Sequence, residues 1–160
     1  MFRSAMSLDS VNRTLTLVAG GITVVAVGVA SAVGPRAAWP AVPILGVVLS
    51  LAWAMAPCAV AIDGGELLIE RRAWSPLRIT RSTIASAEPL DRLGTRPLRL
   101  FGVGGFFGSY GLFSSRELGR FRLYARRRGQ AVLVRRRGDE LPLVLTPDDV
   151  AGTIAAIDPR

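Results

Sequence analysis

The stretch LFGVGGFFGSYGLFSSRELGRFRLYARRR, residues 100–128, is dense in glycine and aromatic side chains and sets the expected fold class. Glycines 105, 108 and 111 recur every third residue with aromatic residues between them. Glycine accepts positive φ angles, so this spacing favours bends and bulges at the corner of a β-barrel. The alternative is a flexible loop that presents its aromatic rings to a bilayer interface or to a partner. The candidate residues of that interfacial loop are Phe106, Phe107, Tyr110 and Phe113.

This glycine-rich stretch departs from both common nucleotide-binding motifs. A P-loop ends in Gly-Lys-Ser/Thr, and the chain contains no lysine. Gly102 and Gly104 begin a dinucleotide fingerprint, but Phe107 stands where the third glycine belongs. We therefore expect no nucleotide cofactor.

The composition argues against an enzyme. All 20 basic residues are arginine, 12 residues are acidic, and there is no histidine, the commonest general base and metal ligand. Cys58 is the only cysteine, so no disulfide within the chain and no thiolate cluster is expected. The acidic pairs Asp139-Glu140 and Asp148-Asp149 fit a turn and a helix start. We predict no catalytic residue, no cofactor and no metal site.

Two arginine triplets flank the predicted strand at residues 129–134, and the net charge of +8 suits an anionic partner. One interpretation is a solvated face; the other is a cationic patch for anionic phospholipid or an acidic protein. Nucleic acid is not expected, because no aromatic stacking platform adjoins the triplets. The candidate patch consists of Arg126, Arg127, Arg128, Arg135, Arg136 and Arg137.

Short apolar segments separated by turn signals predict six or seven strands after Asp63. Asp63-Gly64-Gly65 and Gly138-Asp139 are the turn signals of two hairpins. Thr146-Pro147-Asp148-Asp149 predicts the start of a terminal helix with Thr146 as its N-cap. The predicted strands are Glu66–Arg71, Pro76–Thr80, Ile84–Glu88, Leu98–Phe101, Arg120–Ala125, Val132–Arg135 and Leu141–Leu145.

Three segments together resemble a bacterial pleckstrin-homology-like (PH-like) domain family found in small membrane proteins. They are GGFFGSYGLFSSRELGRFRLYA, AVLVRRRG and the terminal LTPDDVAGTIAAI. The resemblance covers roughly residues 67–157. It implies a seven-stranded barrel closed by a C-terminal helix, and it implies no catalytic residues.

Two apolar runs precede this domain, at Leu15–Val33 and Val42–Ile62. As a helix, the first run would reach roughly 28 Å, close to the ~30 Å thickness of a bilayer core. The expected fold class is therefore a membrane α-hairpin of two transmembrane helices plus a mainly-β PH-like barrel with a C-terminal helix. A cleaved signal peptide is the alternative for the first run, since Ala30-Ser31-Ala32 resembles a cleavage site.

The distribution of arginine predicts the orientation of this hairpin. Arginines in the N-terminal tail and after the second run outnumber the one in the short loop. The positive-inside rule then places both termini and the domain in the cytoplasm of a bacterium, at the inner membrane. The predicted division is a tail with a two-span hairpin, residues 1–62, and a cytoplasmic PH-like domain, residues 63–160.

The function expected from these patterns is a non-catalytic, membrane-anchored interaction module. It would dock a protein partner, or a second copy, at the cytoplasmic membrane face, with arginine contacts to anionic lipid. The alternative is a structural subunit of a larger membrane protein complex, assembled through the small residues of the first span. A lipid sensor is the third hypothesis.

Overall fold

The computed structural model describes residues 1–8, 10–33, 41–91, 97–105, 107–127, 129–138 and 140–157. Ten strands, three α-helices and one 3-10 turn are found in these ranges. In chain order they are β1 Phe2–Ala5, α1 Ser10–Val33, α2 Ala41–Met55, β2 Pro57–Asp63, β3 Glu66–Arg71, β4 Leu77–Thr80, the 3-10 turn Arg81–Thr83, β5 Ile84–Leu90, β6 Leu98–Gly104, β7 Ser109–Ser115, β8 Gly119–Ala125, β9 Ala131–Arg136, β10 Leu143–Leu145 and α3 Val150–Ile157.

The strands form two sheets. One has four antiparallel strands in the order β1-β2-β3-β4, and the other has six in the order β5-β9-β10-β8-β7-β6. β10 is antiparallel to β9 and parallel to β8. The resemblance implied seven strands; the described residues contain ten.

The turn between β2 and β3 forms as the sequence predicts, whereas β1 and β2 were not predicted as strands. Gly64 and Gly65 have φ angles of 55° and 82°, and they join β2 to β3 with Asp63 opposite Glu66. A two-residue turn with both φ angles positive matches the twist of the strands that it connects. β3 has the predicted bounds, and the turn signal before it is confirmed.

The central strands of the six-stranded sheet bury both of their faces. Leu143 and Leu145 of β10 belong to the cluster between the sheets, whereas Val144 points into a second cluster with Phe121. Side chains alternate between faces along a strand, so a run of consecutive apolar residues fills two clusters at once. The strong apolar character of β9 and β10 therefore reflects burial on both sides.

β7 was not predicted as a strand, because its glycines suggested a corner or a loop. Gly111 lies opposite Gly102 of β6, and their φ angles are 132° and 125°. A Cβ on Gly102 would overlap the carbonyl oxygen of Tyr110 and lie 2.8 Å from the Cα of Gly111. The glycine pair thus allows two strands to approach closely, and part of the stretch that sets the fold is a β-hairpin.

The terminal helix begins later than the sequence predicts. Asp149, and not Thr146, caps α3: its carboxylate accepts a hydrogen bond from the Gly152 N–H at 2.8 Å. Thr146 is fully buried and its hydroxyl accepts the N–H of Arg126 at 3.0 Å. The prediction of Thr146 as N-cap is wrong because this hydroxyl is used by β8 and not by the helix.

The N-terminal segment belongs to the first sheet. β1 pairs with β2 over four residue pairs, from Phe2 opposite Ile62 to Ala5 opposite Ala59. Met6 is 1 % exposed and lies in the main core. The predicted boundary between residues 62 and 63 falls at the β2–β3 hairpin, so this sheet takes strands from both sides of it.

The predicted transmembrane hairpin is wrong. Within the described residues no helix combines the length and the apolar character needed to cross a bilayer. The second apolar run is divided: α2 ends at Met55 after 15 residues, roughly 22 Å, and the run continues as the buried strand β2. The predicted multi-pass inner-membrane location and the two-span membrane attachment are contradicted with it.

Candidate interaction surfaces

Helices α1 and α2 carry the largest set of exposed apolar side chains in the described chain. Val24 is 72 % exposed, Leu17 is 68 % exposed and Ile44 is 63 % exposed. No ionisable residue lies at 14–33 or 41–55. We call this set the helical apolar surface. It comprises Leu17, Val18, Ile22, Val24, Val25 and Val29 of α1, and Ile44, Leu45, Val47, Val48, Leu51, Trp53 and Met55 of α2.

Both helices are attached to the β domain at the tip of the β6–β7 hairpin. The N–H of Phe107 donates to the hydroxyl of Thr16 in α1 at 3.2 Å. The Tyr110 hydroxyl donates to the carbonyl oxygen of Ala52 in α2. The carbonyl of Ala54 accepts an N–H from the segment after β3 at 3.1 Å. The first turns of α1 and the end of α2 are therefore fixed against the sheet.

The aromatic residues of the predicted interfacial loop lie in or against the core, where the structure describes them. Tyr110 and Phe113 are 6 % and 5 % exposed, and Phe107 is partly buried against the main cluster. Phe113 stacks on Phe121 with ring centroids 6.4 Å apart. Phe106 lies outside the described residues. Phe107 has a φ angle of 57°, which places its backbone in the region that turns usually reserve for glycine.

The first arginine triplet is used largely within the fold. Arg126 is 7 % exposed, and its Nη1 donates to the carbonyl oxygen of Met6 at 2.7 Å. Burial lowers the pKa of Arg126, with the nearby Arg72 as a smaller cause. Arg127 donates to the carbonyl of Pro147 at 2.6 Å, and Arg128 lies outside the described residues. These contacts tie the end of β8 to the N-terminal segment and to the approach to α3.

The second triplet lies at the other end of β9, so about six residues of extended chain separate the two triplets. At about 3.3 Å per residue this is roughly 20 Å. Arg135 lies 3.7 Å from Glu88, and Arg136 pairs with Glu140. Burial also lowers the pKa of Arg136, with Arg122 as a second cause. Arg135 and Arg137 are exposed, as the predicted cationic patch requires of its members.

The edge strand β6 is a second exposed apolar feature, which the sequence analysis did not single out as a surface. Phe101 is 79 % exposed and Leu98 is 68 % exposed. Among the described strands, β6 pairs with β7 alone. The edges β1 and β4 are four residues long, and β5 contains Pro89; short strands and proline both discourage further pairing. The exposure of Leu98, Leu100 and Phe101 on β6 follows from the place of this strand at the sheet edge, which the sequence alone does not give.

The described residues form no group of three or more potential metal ligands. Cys58, the lone cysteine, is half-buried in β2. The described residues thus form a mainly-β domain with exposed apolar side chains on α1, α2 and β6.

A family model described as Bacterial PH domain matches residues 59–159, and the chain belongs to this family. The resemblance drawn from the sequence is therefore confirmed. PH-like domains are generally non-catalytic interaction modules. No curated protein and no solved structure shows significant similarity to the chain.

Proposed function

We propose that this protein docks a protein partner through the helical apolar surface, and that the PH domain presents that surface. The observation that carries the proposal is the set of thirteen exposed large apolar side chains on α1 and α2. Six of these side chains lie on α1 and seven on α2, and clustered exposed apolar side chains mark interaction sites. The matching chemistry on the partner is an apolar face, such as a pair of helices with small and branched side chains.

The attachment of the helices supports this role. Thr16 and Ala52 are each joined to the β6–β7 hairpin, and the guanidinium of Arg72 lies 5.6 Å from the centre of the Trp53 ring. These contacts fix the position of the surface relative to the domain. A fixed surface loses less conformational entropy on binding than a flexible one.

Charge supports an acidic partner. The chain has a net charge of +8. A net charge of this sign speeds the encounter with an acidic protein. Two copies of this chain would repel each other by the same argument, so we propose a different protein as the partner.

The proposal is tested by a double substitution on α1, Ile22→Gln with Val24→Gln. Both side chains are exposed and glutamine is a good helix former, so the fold should be retained. The tagged full-length chain is purified from its own cells, and the recovery of co-purifying protein is compared with wild type. Loss of two central apolar contacts should reduce recovery by at least about tenfold.

The matched control is Leu98→Gln with Phe101→Gln on β6, which removes side chains of similar exposure from another surface. The control should retain the partner. Equal recovery with the α1 variant, or loss with the β6 variant alone, would refute docking through the helices.

A second candidate function is that of a permanent assembly subunit. The absence of charged residues at 14–33 and 41–55 favours it, because obligate interfaces resemble a protein core more than a surface. The two candidates differ in how readily the partner dissociates. A docked partner dissociates when the purified complex is diluted to nanomolar concentration, whereas an assembled subunit stays bound, and size-exclusion chromatography distinguishes these outcomes.

A further inference from the structure

Strand β6 carries exposed apolar side chains that do not belong to the helical apolar surface. Leu98, Leu100 and Phe101 are all exposed, in a strand of seven residues. Tyr110, which contacts α2, lies opposite Val103. Leu98 is five residues further along β6, roughly 16 Å away at about 3.3 Å per residue. The free edge of β6 is therefore a second surface, apart from the place where α2 is attached.

The backbone of β6 is also open on one side. In an antiparallel pair, each strand directs the N–H and C=O groups of alternate residues to its neighbour and the others away from it. β6 has β7 on one side, and no described strand lies on the other. Within the described chain, residues 98–104 make no backbone hydrogen bond outside the ladder with β7. Such a row of donors and acceptors is a template for one further strand.

Edge strands usually carry features that prevent further pairing, and β6 has few of them. Its seven residues include neither proline nor lysine. The register shift between Arg99 and Phe101 interrupts the ladder with β7, but the residue between them is an exposed leucine and not a charge. Of the edges that the structure describes, β6 is thus the one best suited to accept a strand.

The charges beside β6 select an acidic segment. Arg99 is exposed and forms no ion pair with a described residue. Its Nη1 extends along the strand to 3.3 Å from the position that a Cβ on Gly104 would take. On the other face, Arg122 is exposed and lies in line with Leu112 and Phe101 across three strands. Residues 98–125 contain four arginines and one glutamate, so this hairpin attracts an acidic segment and repels a second copy.

We propose that the free edge of β6 binds an extended segment of another protein in which acidic and apolar residues alternate. The backbone of this segment pairs with β6 and adds a seventh strand to the sheet. Because alternate side chains of a strand point to opposite faces, the apolar ones pack on Phe101 and Leu98. The acidic ones lie on the opposite face and pair with the guanidinium of Arg99. The proposal does not rest on docking through the helices.

The probe is a fluorescein-labelled peptide that alternates glutamate with valine over the length of β6. Fluorescence anisotropy measures its binding to the purified full-length chain, and saturable binding is expected. Proline at the centre of the peptide removes an N–H donor and should weaken binding at least about tenfold. Hydrogen exchange gives a second readout, in which amides of residues 98–104 gain protection on binding and those of the edge strand β4 do not.

The apolar contacts are tested with the two double substitutions already described. Leu98→Gln with Phe101→Gln should weaken binding of the peptide at least about tenfold, because it removes the side chains on which the valines pack. Ile22→Gln with Val24→Gln changes only α1 and should leave binding of the peptide within about twofold. The two variants thus have opposite expected effects on the two proposed surfaces.

The charge contact is tested by Arg99→Glu, at an exposed position without an ion pair to a described residue. This reversal should also weaken binding at least about tenfold. The matched control, Arg137→Glu, makes the same change of charge at an exposed residue after β9, which is four strands from β6. The control should stay within about twofold.

Four results would overturn the proposal: no binding of the peptide, equal binding of the peptide with proline, unchanged exchange of the β6 amides, or equal weakening by Arg137→Glu. Size-exclusion chromatography at rising concentration covers a second copy as the occupant. A dimer that is lost in Leu98→Gln with Phe101→Gln would assign the edge to self-association and also overturn the proposal. None of these results bears on partner docking, since Ile22 and Val24 lie outside this edge.

Discussion

Tyr110 links the glycine-rich hairpin to α2 by one hydrogen bond, from its hydroxyl to the carbonyl of Ala52. Burial raises the pKa of Tyr110 to about 12, while the positive charge of Arg71 partly opposes this. The folded pKa exceeds the unfolded value of about 10. The stabilisation is therefore complete below about pH 10 and is lost as the pH rises through about 12.

Tyr110→Phe should lower the free energy of unfolding at pH 7 by about 0.5–1.5 kcal/mol, the usual net value of a neutral hydrogen bond. It should also remove part of the wild-type loss of stability between pH 10 and 12. Urea denaturation at several pH values measures both effects. Tyr124→Phe is the control, because this buried tyrosine makes no side-chain hydrogen bond with a described residue. A cost at Tyr124 equal to that at Tyr110 would contradict the assignment.

Arg126 lies in a basic triplet, which predicts a surface role. It is nevertheless buried, and its guanidinium donates to the carbonyl of Met6. Arg126→Leu should lower the free energy of unfolding by about 1.5–3 kcal/mol, since it leaves the carbonyl of Met6 without its charged donor. Arg135→Leu, at an exposed position, should stay within about 0.5 kcal/mol of wild type. Urea denaturation compares the two, and equal effects would show that Arg126 is not a structural residue.

At the scale of the element, the β6–β7 hairpin depends on the pairing of Gly102 with Gly111. Gly102→Ala and Gly105→Ala both place a side chain at positive φ, but only the first meets backbone atoms of the neighbouring strand. We expect Gly102→Ala to cost about 1–3 kcal/mol more than Gly105→Ala in thermal or urea unfolding. Equal costs would mean that backbone conformation, and not close strand approach, requires glycine at position 102.

The elements that could be predicted from sequence are those whose signals are local. β3 and the turn at Gly64-Gly65 follow from a glycine pair next to an apolar run. The remaining differences arise from partners distant in sequence. Thr146 resembles a helix cap, but its hydroxyl accepts the N–H of Arg126. Pro57 marks the end of α2, but no local rule predicts that the residues after it form the buried strand β2. The division reflects pairing of β2 with β1 and β3.

At the scale of the whole molecule, the N-terminal segment contacts the residues that precede α3. Ser7 donates to the carboxylate of Asp148 from its N–H at 3.0 Å and from its hydroxyl at 2.7 Å. The N–H of Asp149 donates to the hydroxyl of Ser4 at 3.0 Å. The family match begins at residue 59, yet residues 1–8 complete a sheet and a core that this match covers only in part.

Two shortened chains test the role of this N-terminal segment. One begins at Ala56; the other keeps residues 1–8 and joins them to Ala56 through a short Gly/Ser linker. Both lack α1 and α2, and they differ only in residues 1–8 and the linker. The chain with residues 1–8 should be more stable by at least about 3 kcal/mol, from burial of Met6 and from the Arg126 bond to its carbonyl. Equal urea midpoints would contradict a structural role for β1.

The helical apolar surface is the feature on which the functional proposal depends, and photo-crosslinking tests it most directly. A benzophenone amino acid is placed at Val24 or Val48, both exposed on the helices, and at Arg120 on β8 as the control. The full-length protein is irradiated in its own cells. Docking predicts one discrete protein adduct, shared by positions 24 and 48 and absent at 120. Adducts with lipid alone, with a second copy of the chain, or equally at all three positions would contradict it.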